Sequence, residues 1–87
     1  MHERSVAEDL VRAAGISAVD EGGSVSAMRV EVGSLSCIDP EALHDQVVWW
    51  SQGTIVEGAN IVIEVVPAEL GDEHGAEVKL VSIEVGA

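Results

Sequence analysis

The chain has 87 residues, of which 47% are hydrophobic and only two are aromatic, and its formal net charge is −12. This acidity argues against nucleic acid and anionic membrane surfaces as partners, because their phosphates would be repelled. A chain of this length forms one domain over residues 1–87, and its shortage of aromatic side chains predicts a core of Val, Ile, Leu and Ala, as in a sheet covered by helices.

The first helix is predicted from the spacing of Ser5 and Glu8, which is that of a capping box. Apolar residues then recur on one helical face, namely Val6, Leu10, Ala13 and Ala14. The helix is expected to end near Asp20, because the following Gly22 and Gly23 favour a left-handed exit from a helix.

The first strand is predicted over residues 25–33, where the side chains alternate in polarity. Three apolar residues share one face, namely Met28, Val30 and Val32. The charged residues Arg29 and Glu31 fall on the other face, so this strand should have one face in contact with water.

The second helix is predicted to begin at Pro40, since proline at the first helical position loses no needed donor. Asp39 then occupies the N-cap position. Leu43, Val47 and Trp50 share one face, and the helix should end at residues 52–53. Trp49 lies partly off that face, which leaves one indole for the surface or an interface.

Two further strands are predicted over residues 59–66 and 77–85, with Val81, Ile83 and Val85 on one face of the last strand. A loop over residues 68–76 separates them. The fold class is therefore α/β (α+β), in the order α-β-α-β-β. A right-handed parallel crossover and an antiparallel last strand should give a mixed three-stranded sheet with two helices on one face. The strand order stays open, and the unpaired edge and wet face of so small a sheet make a homodimer plausible.

Cys37 is the only cysteine, so the sequence allows no internal disulfide and contains no CxxC metal or redox motif. A small buried hydrophobe is the favoured interpretation of Cys37, and a thiolate ligand is the alternative. No basic and apolar signal segment opens the chain, and the uncharged stretch 46–56 is shorter than the about 20 residues of a membrane span. A reducing, cytoplasmic location is therefore expected.

The first three residues, Met1-His2-Glu3, suggest a metal site. A free α-amino group on Met1, the deprotonated amide nitrogen of His2 and its imidazole form two adjacent chelate rings. Nickel(II) and copper(II) favour this planar, nitrogen-rich geometry. The fourth position is open to Glu3, a distant side chain or a partner. A solvated terminus is the alternative for His2, and Glu3 would serve equally as a negative charge near a helix N-terminus.

Several segments, in order and at matching spacing, resemble the hydrogenase nickel-incorporation protein family, HypA. They are Met1-His2-Glu3-Arg4-Ser5-Val6, Arg29-Val30-Glu31-Val32-Gly33-Ser34-Leu35-Ser36, Asp39-Pro40-Glu41-Ala42-Leu43, Gly53-Thr54-Ile55-Val56-Glu57-Gly58-Ala59, Ile61-Val62-Ile63-Glu64 and Val81-Ser82-Ile83-Glu84-Val85. The resemblance covers nearly the whole chain, and its most specific piece is the Met-His-Glu start.

The resemblance implies a nickel metallochaperone for the maturation of [NiFe]-hydrogenase, or sometimes of urease. It implies two partners, a maturation GTPase and the hydrogenase large subunit. Nickel(II), as transient cargo, would bind Met1 through its amine, His2 and Glu3. Asp39 stands where an acidic residue participates in some members of the family.

The sequence departs from the family where a zinc lobe with two CxxC pairs is expected between the last two strands. Residues 68–76 replace that lobe and contain no cysteine, so no structural zinc site is predicted, since such a site needs four ligands. The same loop carries His74, the only candidate for a further nickel-binding histidine that some members place near the zinc lobe.

Two further interpretations concern function. The sequence has no nucleophile elbow and no phosphate-binding GxxxxGK[ST] loop, so the chain is predicted not to be an enzyme. The alternative to metal delivery is a metal-independent docking module of a maturation complex, derived from the same fold. A chain from which the zinc lobe was trimmed is a third possibility.

Overall fold

A computed structural model of the chain describes residues 2–86. It contains two helices and three strands in the predicted order: α1 (Glu3–Val19), β1 (Ser24–Gly33), α2 (Pro40–Ser51), β2 (Asn60–Val66) and β3 (Val78–Gly86). None of the helices among these residues is both long and apolar enough to cross a membrane.

The three strands form one sheet in the order β2-β1-β3. β1 pairs with β2 in parallel, with Val30 opposite Ile63. β1 pairs with β3 antiparallel, with Val30 opposite Leu80. The predicted parallel crossover and antiparallel last strand are both confirmed. The strand order, which the sequence left open, places β1 at the centre of the sheet.

The core lies between the two helices and one face of the sheet. α1 packs on β1, β3 and α2, while α2 packs on β2. The largest fully buried side chains include Met28, Val30 and Val32 from β1 and Leu43 and Val47 from α2. The aliphatic core expected from the composition is therefore confirmed, and the alternation along β1 identified its buried face correctly.

The capping box predicted at Ser5 is wrong, because α1 begins two residues earlier, at Glu3. The Ser5 hydroxyl lies inside the first turn and donates to the backbone carbonyl of His2 at 3.3 Å. His2 occupies the N-cap position and makes no side-chain capping bond. The helix therefore starts directly beside the predicted metal-binding residues, with no linker between them.

The predicted face of β3 is wrong at Val81, because a bulge interrupts the pairing with β1. Ser82 lies opposite Arg29 and Leu80 opposite Val30, so Val81 is the extra residue. Val81 is 45% exposed, and Leu80 and Ile83 are the half-buried residues that pack against the core. A single extra residue reverses the alternation of side chains along a strand.

The loop 67–77 between β2 and β3 is held against the end of β1. The backbone N–H of Gly33 donates to the carbonyl of Glu77 at 2.8 Å, and that of Leu35 to the carbonyl of Gly75 at 2.9 Å. A Cβ atom on Gly33 would clash with the backbone of Gly75, so this close approach requires glycine. The loop is thus a compact connection across the end of the sheet.

Candidate metal site

The start of α1 and the start of α2 meet at a hydrogen bond between Glu3 and Asp39. The backbone N–H of Asp39 donates to Oε2 of Glu3 at 3.0 Å. The Asp39 side chain in turn accepts from the backbone N–H of Glu41 at 3.0 Å through Oδ1. The predicted N-cap role of Asp39 is confirmed, and two of the predicted site residues are in direct contact.

The pKa of the Glu3 carboxyl is lowered from 4.5 to about 2. The largest cause is a hydrogen bond with the positively charged amino terminus, and the second is the hydrogen bond from the Asp39 N–H. Donors that bond to the ionised form of a carboxyl favour that form. Glu3 therefore carries its negative charge throughout the pH range in which proteins are normally handled.

His2 is exposed to solvent, and its backbone is hydrogen-bonded to α1. Its carbonyl accepts from the backbone N–H of Val6 at 3.1 Å, which is the first hydrogen bond of the helix. His2 is thus the N-cap residue of α1 and directly precedes Glu3. Met1, whose amine completes the predicted chelate, lies outside the described residues.

Arg4 and Trp50 form a second contact between the two helices, which sequence reasoning missed. The guanidinium carbon of Arg4 lies 5.7 Å from the centroid of the Trp50 ring, a cation–π distance. The one signal in the sequence was the spacing of Leu43, Val47 and Trp50, which placed Trp50 on the inner face of α2 and so indicated that its indole would be covered. The contact fixes the residue that follows Glu3 against the end of α2.

No group of three or more His, Cys, Asp and Glu side chains within residues 2–86 is arranged to hold a metal ion. The predicted site draws two of its ligands from the amine of Met1 and the amide nitrogen of His2, which are not side-chain groups. Its assignment therefore stays a prediction, and what the structure adds is the contact between Glu3 and Asp39.

Comparison with known proteins assigns the sequence of the chain to a family. A family model described as hydrogenase/urease nickel incorporation, metallochaperone, hypA matches residues 1–77. The chain belongs to the HypA family.

Curated HypA relatives match a large part of the chain. The hydrogenase maturation factor HypA of Methanothermobacter thermautotrophicus is 39% identical over 79 residues, which cover 88% of this chain and 64% of that protein. Those of Aeromonas salmonicida and Archaeoglobus fulgidus are 39% and 38% identical, over 70% and 80% of this chain and 55% and 64% of theirs. The chain therefore spans only about 55–64% of the length of these three relatives.

A solved structure has the same fold. A chain titled "Solution structure of HypA protein" aligns with a TM-score of 0.68 and 16% identity, covering 98% of this chain and 96% of that one. At this identity the likeness concerns the fold alone. It agrees with the predicted α+β class and with the three-stranded mixed sheet.

Cys37 does not have the buried position that was favoured for it in this HypA-family chain. It is exposed, and its φ of 60° places it in the left-handed region that non-glycine residues rarely adopt. Burial statistics for cysteine favoured the core, but the loop between β1 and α2 turns sharply here. The residue lies two positions before Asp39, outside the contacts that join Glu3 to α2.

His74, the candidate for a second nickel-binding histidine, lies in the loop 67–77. Its Nδ1 is 2.8 Å from Oε2 of Glu77, and its Nε2 is 3.3 Å from Oε1 of Glu73. Both ring nitrogens thus face carboxylates of the same loop. The predictions that His74 can bind nickel and that this loop binds no structural zinc stay untested.

Proposed function

We propose that this chain is the nickel-carrying part of a HypA-type metallochaperone that serves the maturation of [NiFe]-hydrogenase or urease. The observation that supports this most directly is the hydrogen bond from Asp39 N–H to Glu3. It holds Glu3, the third residue of the Met-His-Glu sequence of a HypA-family chain, against the N-terminus of α2. Metal ligands at a chain terminus are positioned more precisely when the adjacent residue, here Glu3, is held by a hydrogen bond.

Nickel(II) would be bound by three nitrogens from the first two residues. In a protein whose amino terminus is Met1, these are the amine, the amide nitrogen of His2 and an imidazole nitrogen of His2. A planar arrangement of nitrogen and oxygen ligands suits nickel(II) and copper(II). The exposed position of His2 at the start of α1 leaves its ring accessible to an ion arriving from solvent.

Asp39 is our candidate for the fourth ligand, with Glu3 as the group that positions it. The carboxylate of Glu3 already holds the Asp39 backbone, while Asp39 uses Oδ1 for the helix cap. A carboxylate has two oxygens, so Asp39 can cap the helix with one and bind a cation with the other. The ionised Glu3 adds a negative charge beside the dication, and direct ligation by Glu3 is an alternative that the variants below distinguish.

The proposed partners follow from the family and from charge. The chain would work with a maturation GTPase and hand the metal towards the hydrogenase large subunit, as the HypA resemblance implies. A net charge of −12 favours attraction of metal cations and of basic protein surfaces. Because binding releases protons, a partner that protonates or displaces the terminal nitrogens would also release the ion.

The proposal is tested by calorimetric titration of nickel(II) into untagged protein that begins at Met1. We expect one strong site per chain, which is lost in His2→Ala and retained in His44→Ala, an exposed histidine of α2 that serves as the control. Glu3→Gln should weaken binding less than His2→Ala if Glu3 positions Asp39, and as much if Glu3 is a ligand.

One extra glycine before Met1 should also abolish the strong site, because it removes the amine from the chelate. Equal nickel binding by wild-type protein and His2→Ala would refute the proposed site. Partner binding that persists in His2→Ala, in a protein without a nickel site, would instead support the docking-module alternative.

A further inference from the structure

β3 is an edge strand with an uncovered, mostly apolar groove beside it. Within residues 2–86 it pairs with β1 alone. A groove of about 440 Å³ runs between β3 and α1. It is lined by Val6, Asp9, Leu10 and Ala13 on the helix, by Val78 and Leu80 on the strand and by Ala76 just before the strand, so that Asp9 is its one charged residue. An edge strand presents backbone donors and acceptors to any strand that can lie beside it.

We propose that a second copy of the chain occupies this edge, with the two β3 strands antiparallel across a twofold axis. Such a pairing would join the two sheets into one of six strands. The helix-facing side chains of the added strand would then lie over the groove and cover its apolar residues. The half-buried side chains that gain cover are Val78, Leu80, Ile83 and Val85.

Charge complementarity fixes the register of this pairing. Lys79 and Glu84 are both exposed and both lie on the face opposite the helices, since their neighbours on β1 are Glu31 and Ala27. With the axis between Val81 and Ser82, each Lys79 lies opposite Glu84 of the second copy. Opposite charges facing each other across strands stabilise the pair.

Because of the bulge at Val81, the register that pairs Lys79 with Glu84 also places apolar residues of the two copies opposite each other. Residues directly opposite each other in an antiparallel pair must point to the same face. Leu80 and Ile83 both point to the helix side, although they are separated by an odd number of positions, because the bulge shifts the alternation. Leu80 therefore meets Ile83 of the second copy, and Val78 meets Val85.

The other edge of the sheet offers no such match. β2 has the sequence NIVIEVV, in which Glu64 is the only charged residue, so two β2 strands have no cation to set against it. Glu64 is already paired with Arg29 of β1 at 2.9 Å. Both the groove and the charge pattern thus favour β3.

The test is sedimentation of the full chain over a range of concentrations, at about 0.15 M salt so that repulsion between two acidic chains is screened. We expect a concentration-dependent dimer. Ala13→Glu, which places a charge in the groove from an exposed helix position, should weaken dimerisation at least tenfold. Val19→Glu is the control, because it makes an equal charge change on α1 at a residue that is 70% exposed and not part of the groove.

A charge exchange tests the register independently. Lys79→Glu and Glu84→Lys should each weaken the dimer, and the double variant should recover most of the loss, with circular dichroism showing that every variant is folded. A chain that stays monomeric at all accessible concentrations overturns the proposal. So does a dimer that Ala13→Glu leaves intact, or one in which the double variant behaves no better than the single ones. Monomeric protein that binds a strand-forming peptide at this edge would also overturn it, in favour of a different protein as the occupant.

Discussion

Oε2 of Glu3 accepts a hydrogen bond from the backbone N–H of Asp39 at 3.0 Å, across 36 positions of sequence. The bond joins the first residue of α1 to the N-cap of α2. The residues proposed to surround nickel are therefore also residues that hold the two helices together. Metal binding and helix packing share this contact, so changes at either residue should be measured for both effects.

Glu3→Gln should reduce stability in a manner that depends on pH. The pKa of Glu3 is lowered to about 2 from its ordinary 4.5, so its ionised form is favoured by folding. The stability that this charge contributes is present above about pH 4.5 and is lost as pH falls through about 2. The difference in Tm between wild type and Glu3→Gln should therefore be largest near pH 6 and vanish near pH 2.

Thermal unfolding followed by circular dichroism between pH 2 and 7 measures this difference. Glu21→Gln, which changes an exposed glutamate in the turn after α1, is the matched control and should change Tm little at pH 6. A Tm difference for Glu3→Gln that stays constant from pH 6 to pH 2 would show that the Glu3 charge makes no contribution.

Much of the fold was readable from local pattern. The alternation of β1 identified Met28, Val30 and Val32 as core residues, and Asp39-Pro40 located the start of α2, because strand alternation and helix capping depend on neighbouring residues alone. The order of the strands depends on long-range packing. The alternation of apolar and polar residues within each strand does not indicate which strand lies at the centre of the sheet.

The errors have physical causes that lie outside the local sequence. Ser5 had the spacing of a cap, but α1 begins at Glu3, whose side chain accepts a hydrogen bond from Asp39 in a distant segment of the sequence. The bulge at Val81 is set by the pairing with β1 and not by the sequence of β3. The candidate metal residues were found by chelate chemistry and by resemblance, whereas their contact could be seen only in the fold.

Leu43→Ala should be strongly destabilising. Leu43 is fully buried on the inner face of α2, so its truncation leaves a cavity in the core. Substitutions of this kind cost about 2–5 kcal/mol. Urea unfolding should show this loss, while Val48→Ala on the same helix, at a residue 43% exposed, should change the unfolding free energy by about 0.5 kcal/mol or less. Similar losses in the two variants would contradict the packing of α2 described here.

Nickel affinity should fall steeply as the solution becomes acidic. An α-amino group ordinarily titrates at ~7.7–8.0 and an imidazole at ~6.5, and both must lose their protons to bind metal, as must one backbone amide. Between pH 8 and 6 we expect the Kd for nickel to rise by at least tenfold per pH unit. Calorimetry in two buffers with different ionisation heats measures the protons released. A Kd that does not change with pH would exclude the terminal nitrogens as ligands.

Asp39 has two proposed roles, and two substitutions separate them. Asparagine caps helices about as well as aspartate, whereas alanine at this position costs about 1 kcal/mol. Asp39→Asn should therefore keep the unfolding free energy within a few tenths of a kcal/mol, and Asp39→Ala should lower it by about 1 kcal/mol. Nickel affinity should fall in both variants, because both lack the carboxylate proposed as the fourth ligand. If Asp39→Asn binds nickel as tightly as wild type, Asp39 serves α2 alone, and the fourth position belongs to Glu3 or to a partner.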